Sequence, residues 1–391
     1  MINLRQAAFF IASLSFTIFV TMPSVFAATT ISEYPVPTVN SSLTGITEGP
    51  DGNLWFTEQA NVANKIGKIT PSGSVTEYSL PTPDSDPAYI VAGPDGNVWF
   101  TEYANNSIGK ITPSGTITEY TIPSSNTSPL DITAGPDGNL WFTEYNGNNI
   151  GKITPSGTIT EYAIPTSNSG PRGITEGPDG NLWFTESATN KIGKVTPSGS
   201  FTEYTVPTPS SYPLDITAGP DGNLWFIESN TGNIGKITPS GTITEYPTPG
   251  TDLSNIVSGP DGNLWITNIG NSSIYQMSTN GTVLGDYTTP TSGSFPEGIT
   301  SGPSNTLWFV ENGADQIGEI NDIIDPPASN NSSDPSTSST TPTSGPTAPS
   351  TGYGRLRSTS PLDIAIAGSS VISIASGLLL FNRWRKSSTP N

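Results

Sequence analysis

The chain has 391 residues with no cysteine and no histidine, and its formal net charge is −19 at pH 7. The lack of cysteine excludes disulfides and thiol chemistry. Residues 31–325 hold 31 acids against seven lysines and one arginine, a net charge of −23, which disfavours nucleic acid and anionic lipid as partners. Cationic partners or divalent metals suit such a surface better, although solubility alone also explains it.

The first residues have the pattern of an export signal. MINLRQ is followed by the apolar run AAFFIASLSFTIFVT, and Val25 and Ala27 stand at the positions that a signal peptidase reads. The sequence therefore predicts a signal peptide at 1–27 and a folded domain at 28–324.

A unit of about 42 residues repeats through this domain, and such a period is typical of propellers and solenoids. Residues 130–165 read as four short strands joined by tight Asp-Gly and Ser-Gly turns. Seven such units without a helix signal predict an all-β, seven-bladed β-propeller. One tryptophan marks each unit: Trp55, Trp99, Trp141, Trp183, Trp225, Trp265 and Trp308.

The two ends of the array predict how the ring closes. The last unit lacks a fourth strand, whereas residues 31–35, ISEYP, are a fourth strand without a unit of its own. We expect this N-terminal strand to complete the seventh blade.

Charged residues recur within the last hairpin of the units. We expect cross-strand ion pairs on the outer surface. The pairs are Lys68 with Glu77, Lys110 with Glu119, Lys152 with Glu161, Lys194 with Glu203 and Lys236 with Glu245.

The segment after the repeats changes in composition. Residues 325–360 are rich in Ser, Thr and Pro and predict a disordered stalk. Residues 361–386 contain an apolar run and a basic tail, which predict a transmembrane anchor. Ala348–Gly352, followed by this span, resembles a sortase-type sorting signal with Ala in place of the usual Leu. The protein is thus expected to be exported and held at the cell surface by its C-terminus, as a monomeric propeller.

Candidate site residues should lie where each first strand begins and each second strand ends, which we call the entry face. Seven residues, one at the end of each second strand, could together form a funnel that attracts cations. Alternatively, they could recur only because the repeat was copied. These residues are Glu58, Glu102, Glu144, Glu186, Glu228, Asn268 and Glu311.

Departures from the repeat point to more specific sites. Arg172 is the one arginine in the repeats and could hold a ligand carboxylate or phosphate, or pair with Glu186. Asp86 with Glu102, and Glu297 with Glu311, could each coordinate a divalent cation such as Mg²⁺ or Ca²⁺, or remain solvated. In the sixth unit, Ile266, Asn268 and Gln276 replace Phe, Glu and Lys, which indicates a partner-facing blade or weak selection.

The phrases GPDGNLWFTE, NKIGKITPSG and TEYxxP resemble the virginiamycin B lyase (streptogramin lyase) family over about residues 31–321. The resemblance implies a seven-bladed propeller whose active members open a cyclic depsipeptide antibiotic by elimination at its ester. It also implies a magnesium ion and a histidine base at the entry face.

The family's site residues are only partly present. By position, the metal glutamate is Glu311, but the second carboxylate falls on Phe295 and the catalytic histidine on Glu297. A further histidine falls on Ser254. The family's proton abstraction therefore cannot proceed in its usual form, and Glu297 is the one candidate for a replacement base.

Three functions remain open from the sequence. The first is a non-catalytic module that displays a binding surface to an extracellular small molecule, glycan or protein. The second is a lyase with an altered, metal-dependent site. The third is a metal-dependent hydrolase of lactones or sugar esters, which needs clustered carboxylates but no histidine.

Overall fold

The computed structural model describes residues 29–60, 63–321 and 323. These residues form seven four-stranded antiparallel sheets, and the first strands of consecutive sheets contact one another around a complete ring. The predicted all-β, seven-bladed propeller is confirmed. Within the described residues no helix is long and apolar enough to cross a membrane. The predicted signal peptide, stalk and anchor lie outside the described residues.

The first four blades follow chain order, each with its first strand nearest the axis. Blade one contains β2 (Leu43–Glu48), β3 (Leu54–Glu58), β4 (Lys65–Ile69) and β5 (Val75–Ser79). Blade two contains β6 (Pro87–Ala92), β7 (Val98–Glu102), β8 (Ser107–Ile111) and β9 (Ile117–Thr121). Blade three contains β10 (Pro129–Ala134), β11 (Leu140–Glu144), β12 (Asn149–Ile153) and β13 (Ile159–Ala163). Blade four contains β14 (Pro171–Glu176), β15 (Leu182–Glu186), β16 (Lys191–Val195) and β17 (Phe201–Thr205).

The last three blades have the same strand order as the first four, except that the N-terminal strand supplies the fourth strand of blade seven. Blade five contains β18 (Pro213–Ala218), β19 (Leu224–Glu228), β20 (Asn233–Ile237) and β21 (Ile243–Pro247). Blade six contains β22 (Leu253–Ser258), β23 (Leu264–Asn268), β24 (Ser273–Met277) and β25 (Val283–Thr288). Blade seven contains β26 (Pro296–Gly302), a 3₁₀ turn at Pro303–Asn305, β27 (Thr306–Glu311), β28 (Gln316–Asn321) and the N-terminal strand β1 (Thr30–Pro35).

The N-terminal strand closes the ring as predicted. β1 pairs antiparallel with β28, so that Ile31 lies opposite Ile320. The ring of Tyr34 stacks on Trp308 with 5.6 Å between centroids, as the fourth-strand tyrosines of other blades stack on their own tryptophans. The strand therefore brings to blade seven the contact that the other blades obtain from their own chain segment.

Each tryptophan forms part of the core between its blade and the next. The seven indoles are at most 1% exposed. Trp55, for example, packs with Val98 and Phe100 of blade two. Its indole N–H donates to Asp51 at 2.9 Å, so the Asp-Gly turn also satisfies the one polar group of a buried ring.

The structure corrects the predicted lysine–glutamate pairs. Lys68 lies opposite Trp55 on one neighbouring strand and Thr76 on the other, whereas Glu77 lies opposite Gly67. Because side chains alternate between the two faces of a strand, Lys68 and Glu77 point to opposite faces. The lysines instead lie 3.6–3.9 Å from turn aspartates, in the pairs Lys68–Asp51, Lys110–Asp95, Lys152–Asp137, Lys194–Asp179 and Lys236–Asp221.

Blade six preserves its core by a paired exchange. In the other blades a phenylalanine ring on the second strand covers a glycine on the third, and a Cβ on Gly67 would lie 2.1 Å from the Phe56 ring. In blade six Ile266 lies opposite Tyr275, and both are buried. Tyr275 thus occupies, from the third strand, the volume that the phenylalanine fills elsewhere.

Candidate functional site

The entry face is shaped by a bulge at the start of every first strand. In blade four the register shifts between Pro171, which pairs with Glu186, and Ile174, which pairs with Phe184. The same shift occurs in the other six blades. Bulges redirect side chains and commonly occur beside functional sites. Arg172 lies within this bulge.

Arg172 is held by two tyrosines of neighbouring blades. Its guanidinium carbon lies 4.9 Å from the ring centroid of Tyr145 and 5.3 Å from that of Tyr212. Its Nη2 donates to the Tyr212 hydroxyl at 3.0 Å, and its Nε is buried without a hydrogen-bond partner. Among the described residues, no carboxylate lies within 4.0 Å of the guanidinium as an ion-pair partner. The predicted alternative, a pair with Glu186, is therefore not present.

A second group of residues stands one position after the Arg172 position in each repeat. The equivalent of Gly173 is Tyr89, Asp131, Asp215 or Asn255 in four blades and glycine in the other two. A Cβ on Gly173 would lie 2.8 Å from the backbone oxygen of Leu214. The glycines therefore allow neighbouring first strands to approach closely.

Two aspartates of this group clamp adjacent blades together. Asp131 accepts hydrogen bonds from the N–H of Ile132 in its own strand and of Ile174 in blade four, each at 2.8 Å. Asp215 does the same with Ile216 and with Ile256 of blade six. Burial, together with the charge of Asp215, raises the pKa of Asp131 well above its usual value. Burial raises the pKa of Asp215 to about 6.

Tyr89 is the blade-two member of this group, and it is half-buried. Burial raises the pKa of its hydroxyl, and the carboxylates of Asp215, Asp131 and Glu297 raise it further. The Tyr89 hydroxyl is thus influenced by carboxylates of blades three, five and seven.

Glu297 also lies near the axis. Its Oε1 accepts a hydrogen bond from the Asn312 amide at 3.2 Å. Burial raises the pKa of its carboxyl group to about 8. Its side chain keeps some access to solvent because it borders the axial space and not the core of a blade. Glu297 is therefore protonated in much of the population at neutral pH.

The glutamates that end the second strands do not line an open funnel. All six are fully buried, at 0% exposure. Glu102 accepts a hydrogen bond from Asn105 at 2.7 Å, and burial raises its pKa to about 7. Burial and the charge of Glu33 raise the pKa of Glu311 to about 8, and neither of its carboxylate oxygens has a hydrogen-bond partner.

The magnesium site that the resemblance implies does not fit the residues present. Glu311 supplies one carboxylate, but Phe295 offers no oxygen, and Glu297 is bonded to Asn312. In the second candidate pair, Glu102 is bonded to the amide of Asn105, and burial raises the pKa of Asp86. In the part of the chain that the structure describes, no three acids, histidines or cysteines are grouped so that they could hold a metal ion. A hard cation needs several oxygen ligands at once, and these carboxylates do not converge.

Sequence reasoning found Arg172 but missed the residues that hold it. Tyr145 follows the repeated LWFTE, and Tyr212 precedes a first strand. Both positions vary among the blades, as does the position of Asp131 and Asp215. Variation between the blades at the entry face is the sequence signal that marks these tyrosines and aspartates, as it marks Arg172.

Comparison with known proteins places these observations in a family. The model of the virginiamycin B lyase family matches residues 21–210 and 166–324. Virginiamycin B lyase from Staphylococcus aureus, as a selenomethionine crystal structure, is 42% identical; the match covers 75% of this chain and 99% of that one, with a TM-score of 0.71.

A second structure of the S. aureus enzyme is a catalytically inactive histidine-to-alanine variant with quinupristin. It is 40% identical, with the same coverage of both chains and the same TM-score. The extracellular domain of a one-component system from B. thetaiotaomicron matches at 16% identity, over 74% of this chain and 42% of that one, with a TM-score of 0.60. That last likeness concerns the fold alone.

Proposed function

Because this chain belongs to the virginiamycin B lyase family but has no histidine, we propose that it is a non-catalytic binding module. The S. aureus relative is described as inactive when one histidine becomes alanine. This chain has no histidine at any position, and this observation carries the proposal. The scattered carboxylates of the entry face support it further, since they offer no multidentate metal site.

Arg172 is the residue proposed to hold the ligand. Tyr145 and Tyr212 fix its guanidinium in one orientation, and no carboxylate among the described residues neutralises it. A fixed guanidinium recognises planar anions through paired N–H donors. The ligand is therefore a small molecule, glycan or protein segment that presents a carboxylate or phosphate.

The predicted ends of the chain suit display. We propose export through residues 1–27 and anchoring through residues 361–386, with residues 325–360 as a spacer. A binding surface gains reach from such a spacer, whereas a soluble degrading enzyme has less need of one.

The first experiment measures turnover. Full-length protein is incubated with quinupristin and Mg²⁺, and linear product is followed by mass spectrometry, with an active family lyase as positive control. We expect no product above the protein-free rate. Mg²⁺ and Ca²⁺ are titrated calorimetrically in parallel, with Glu311→Gln as control. Turnover, or stoichiometric metal binding that Glu311→Gln abolishes, would contradict the proposal.

One observation favours a second candidate, an altered lyase. By the family resemblance Glu297 falls on the position of the catalytic histidine, and burial raises its pKa to about 8, near the working range of a general acid–base group. If quinupristin is turned over, Glu297→Gln separates the two explanations. An altered lyase loses its activity in this variant, whereas a contaminating activity does not change.

A further inference from the structure

Blade three contains two carboxyl groups that lie close together in a buried space. Glu144 ends β11, and Glu161 lies in β13 of the same blade. The Oε1 atoms of both residues are buried without a hydrogen-bond partner. The side chains nevertheless lie within hydrogen-bonding contact of each other. Two ionised carboxylates in this arrangement would repel each other and leave both oxygens unsatisfied.

The remaining oxygens of the two residues are already occupied. Asn149 donates its amide to Oε2 of Glu144 at 2.8 Å, and the N–H of Ser124 donates to Oε2 of Glu161 at 3.3 Å. Within the described part of the chain, no lysine or arginine forms an ion pair with Glu144 or Glu161. No cation of those residues therefore balances the two carboxyl groups.

We infer that Glu144 and Glu161 share one proton, which Glu144 donates to Glu161, and that this hydrogen bond makes the stability of the propeller depend on pH. One proton satisfies both unpartnered oxygens and removes the repulsion between the two groups. Burial, opposed in part by the Asn149 bond and reinforced by Glu161, raises the pKa of Glu144 to about 8. Its usual value is 4.5.

The sign of the effect follows from these two values. Below about pH 4.5 the carboxyl is protonated in both the folded and the unfolded chain. Between about pH 4.5 and 8 the folded chain binds the proton and the unfolded chain does not, so stability falls as pH rises. Above about pH 8 the pair has lost its proton in the folded state as well.

The equivalent pairs of blades five and four are satisfied differently. In blade five, Thr208 donates its N–H and its hydroxyl to the two carboxylate oxygens of Glu245, so that only Glu228 keeps an unpartnered oxygen. In blade four, Lys191 lies 2.9 Å from Glu203. Burial and the charge of Glu203 raise the pKa of Glu186 to about 7, and the charge of Lys191 opposes only part of this rise. Blade four is thus an internal control in which a lysine supplies the positive charge.

The test compares full-length wild type with Glu144→Gln and Glu161→Gln. A glutamine at either position can donate an amide N–H to the remaining carboxylate at any pH. We expect the melting temperature of the wild type to fall between pH 6 and 8.5 and that of both variants to fall less. We expect Glu144→Gln to melt higher than the wild type at pH 8.5. The infrared band of a protonated carboxylic acid at pH 6.5 should weaken in both variants.

The matched control is Glu186→Gln in blade four, for which we expect a smaller change in pH dependence. Equal pH dependence in wild type and both blade-three variants would overturn the inference. So would a rise in wild-type melting temperature with added Ca²⁺ that Glu144→Gln lacks, because a cation and not a proton would then bridge the pair.

Discussion

At the scale of single residues, the candidate site consists of positions that break the repeat. Arg172 is the one arginine of the repeats, and the sequence alone marks it as unusual. Its contacts with Tyr145 and Tyr212 could not be predicted, because both tyrosines lie at the edges of neighbouring blades and reach it only when those blades pack side by side. The sequence identifies the exceptional residue, whereas the ring geometry determines its partners.

The proposed role of Arg172 gives a direct binding prediction. We expect the full-length protein to bind benzoate or inorganic phosphate weakly, and Arg172→Ala to weaken this binding at least tenfold, equivalent to about 1.4 kcal/mol. Arg172→Lys keeps the charge but loses the planar fork, so we expect an intermediate affinity. Calorimetry at low ionic strength measures both. Equal affinity in wild type and Arg172→Ala would show that the guanidinium does not hold the anion.

At the scale of strands and blades, the sequence predicted elements well and contact partners less well. The number of blades and the closing strand were correct because tight turns and tryptophans mark each hairpin. The lysine–glutamate pairs were wrong because the assignment overlooked the register, which puts Lys68 opposite Thr76 and Glu77 opposite Gly67. A shift of one residue in register moves a side chain to the opposite face of the sheet. An error of one residue in the assumed register therefore gives each lysine the wrong partner.

Blade six tests whether its divergence is a packing exchange. Tyr275→Gly alone removes a buried ring beside Ile266, and we expect a loss of about 3–5 kcal/mol in the free energy of unfolding. Adding Ile266→Phe recreates the pair found in the other blades and should recover most of that loss. Denaturant unfolding measures both variants, with Ile266→Phe alone as control. Additive losses in the double variant would mean that the two positions do not compensate each other.

At the scale of the whole molecule, the ring depends on one non-covalent closure. In blades one to six, tight turns connect the fourth strand to its neighbour, whereas β1 and β28 are separated by almost the whole propeller sequence. The closing strand must therefore be held by its contacts alone. Tyr34 stacks on Trp308 and donates its hydroxyl to Glu319 at 2.8 Å, while Glu33 accepts hydrogen bonds from Thr291.

This closure predicts a difference between two otherwise equivalent tyrosines. Tyr34 and Tyr162 stack on their tryptophans with centroid distances of 5.6 and 5.5 Å. We expect Tyr34→Ala to increase hydrogen exchange throughout β1 and β28, because the closing strand can separate without unfolding the rest. Tyr162→Ala should affect its blade less, because the tight turn between β12 and β13 keeps the strands together.

Tyr34→Phe separates stacking from the hydroxyl bond in this experiment. It retains the ring on Trp308 and loses only the hydrogen bond to Glu319, a change of about 1 kcal/mol. Mass spectrometry of exchanged peptides measures all three variants under the same conditions. If Tyr34→Ala and Tyr162→Ala raise exchange equally, ring closure is no weaker than an ordinary hairpin. If Tyr34→Phe matches Tyr34→Ala, the hydroxyl bond and not the aromatic stack holds the closing strand.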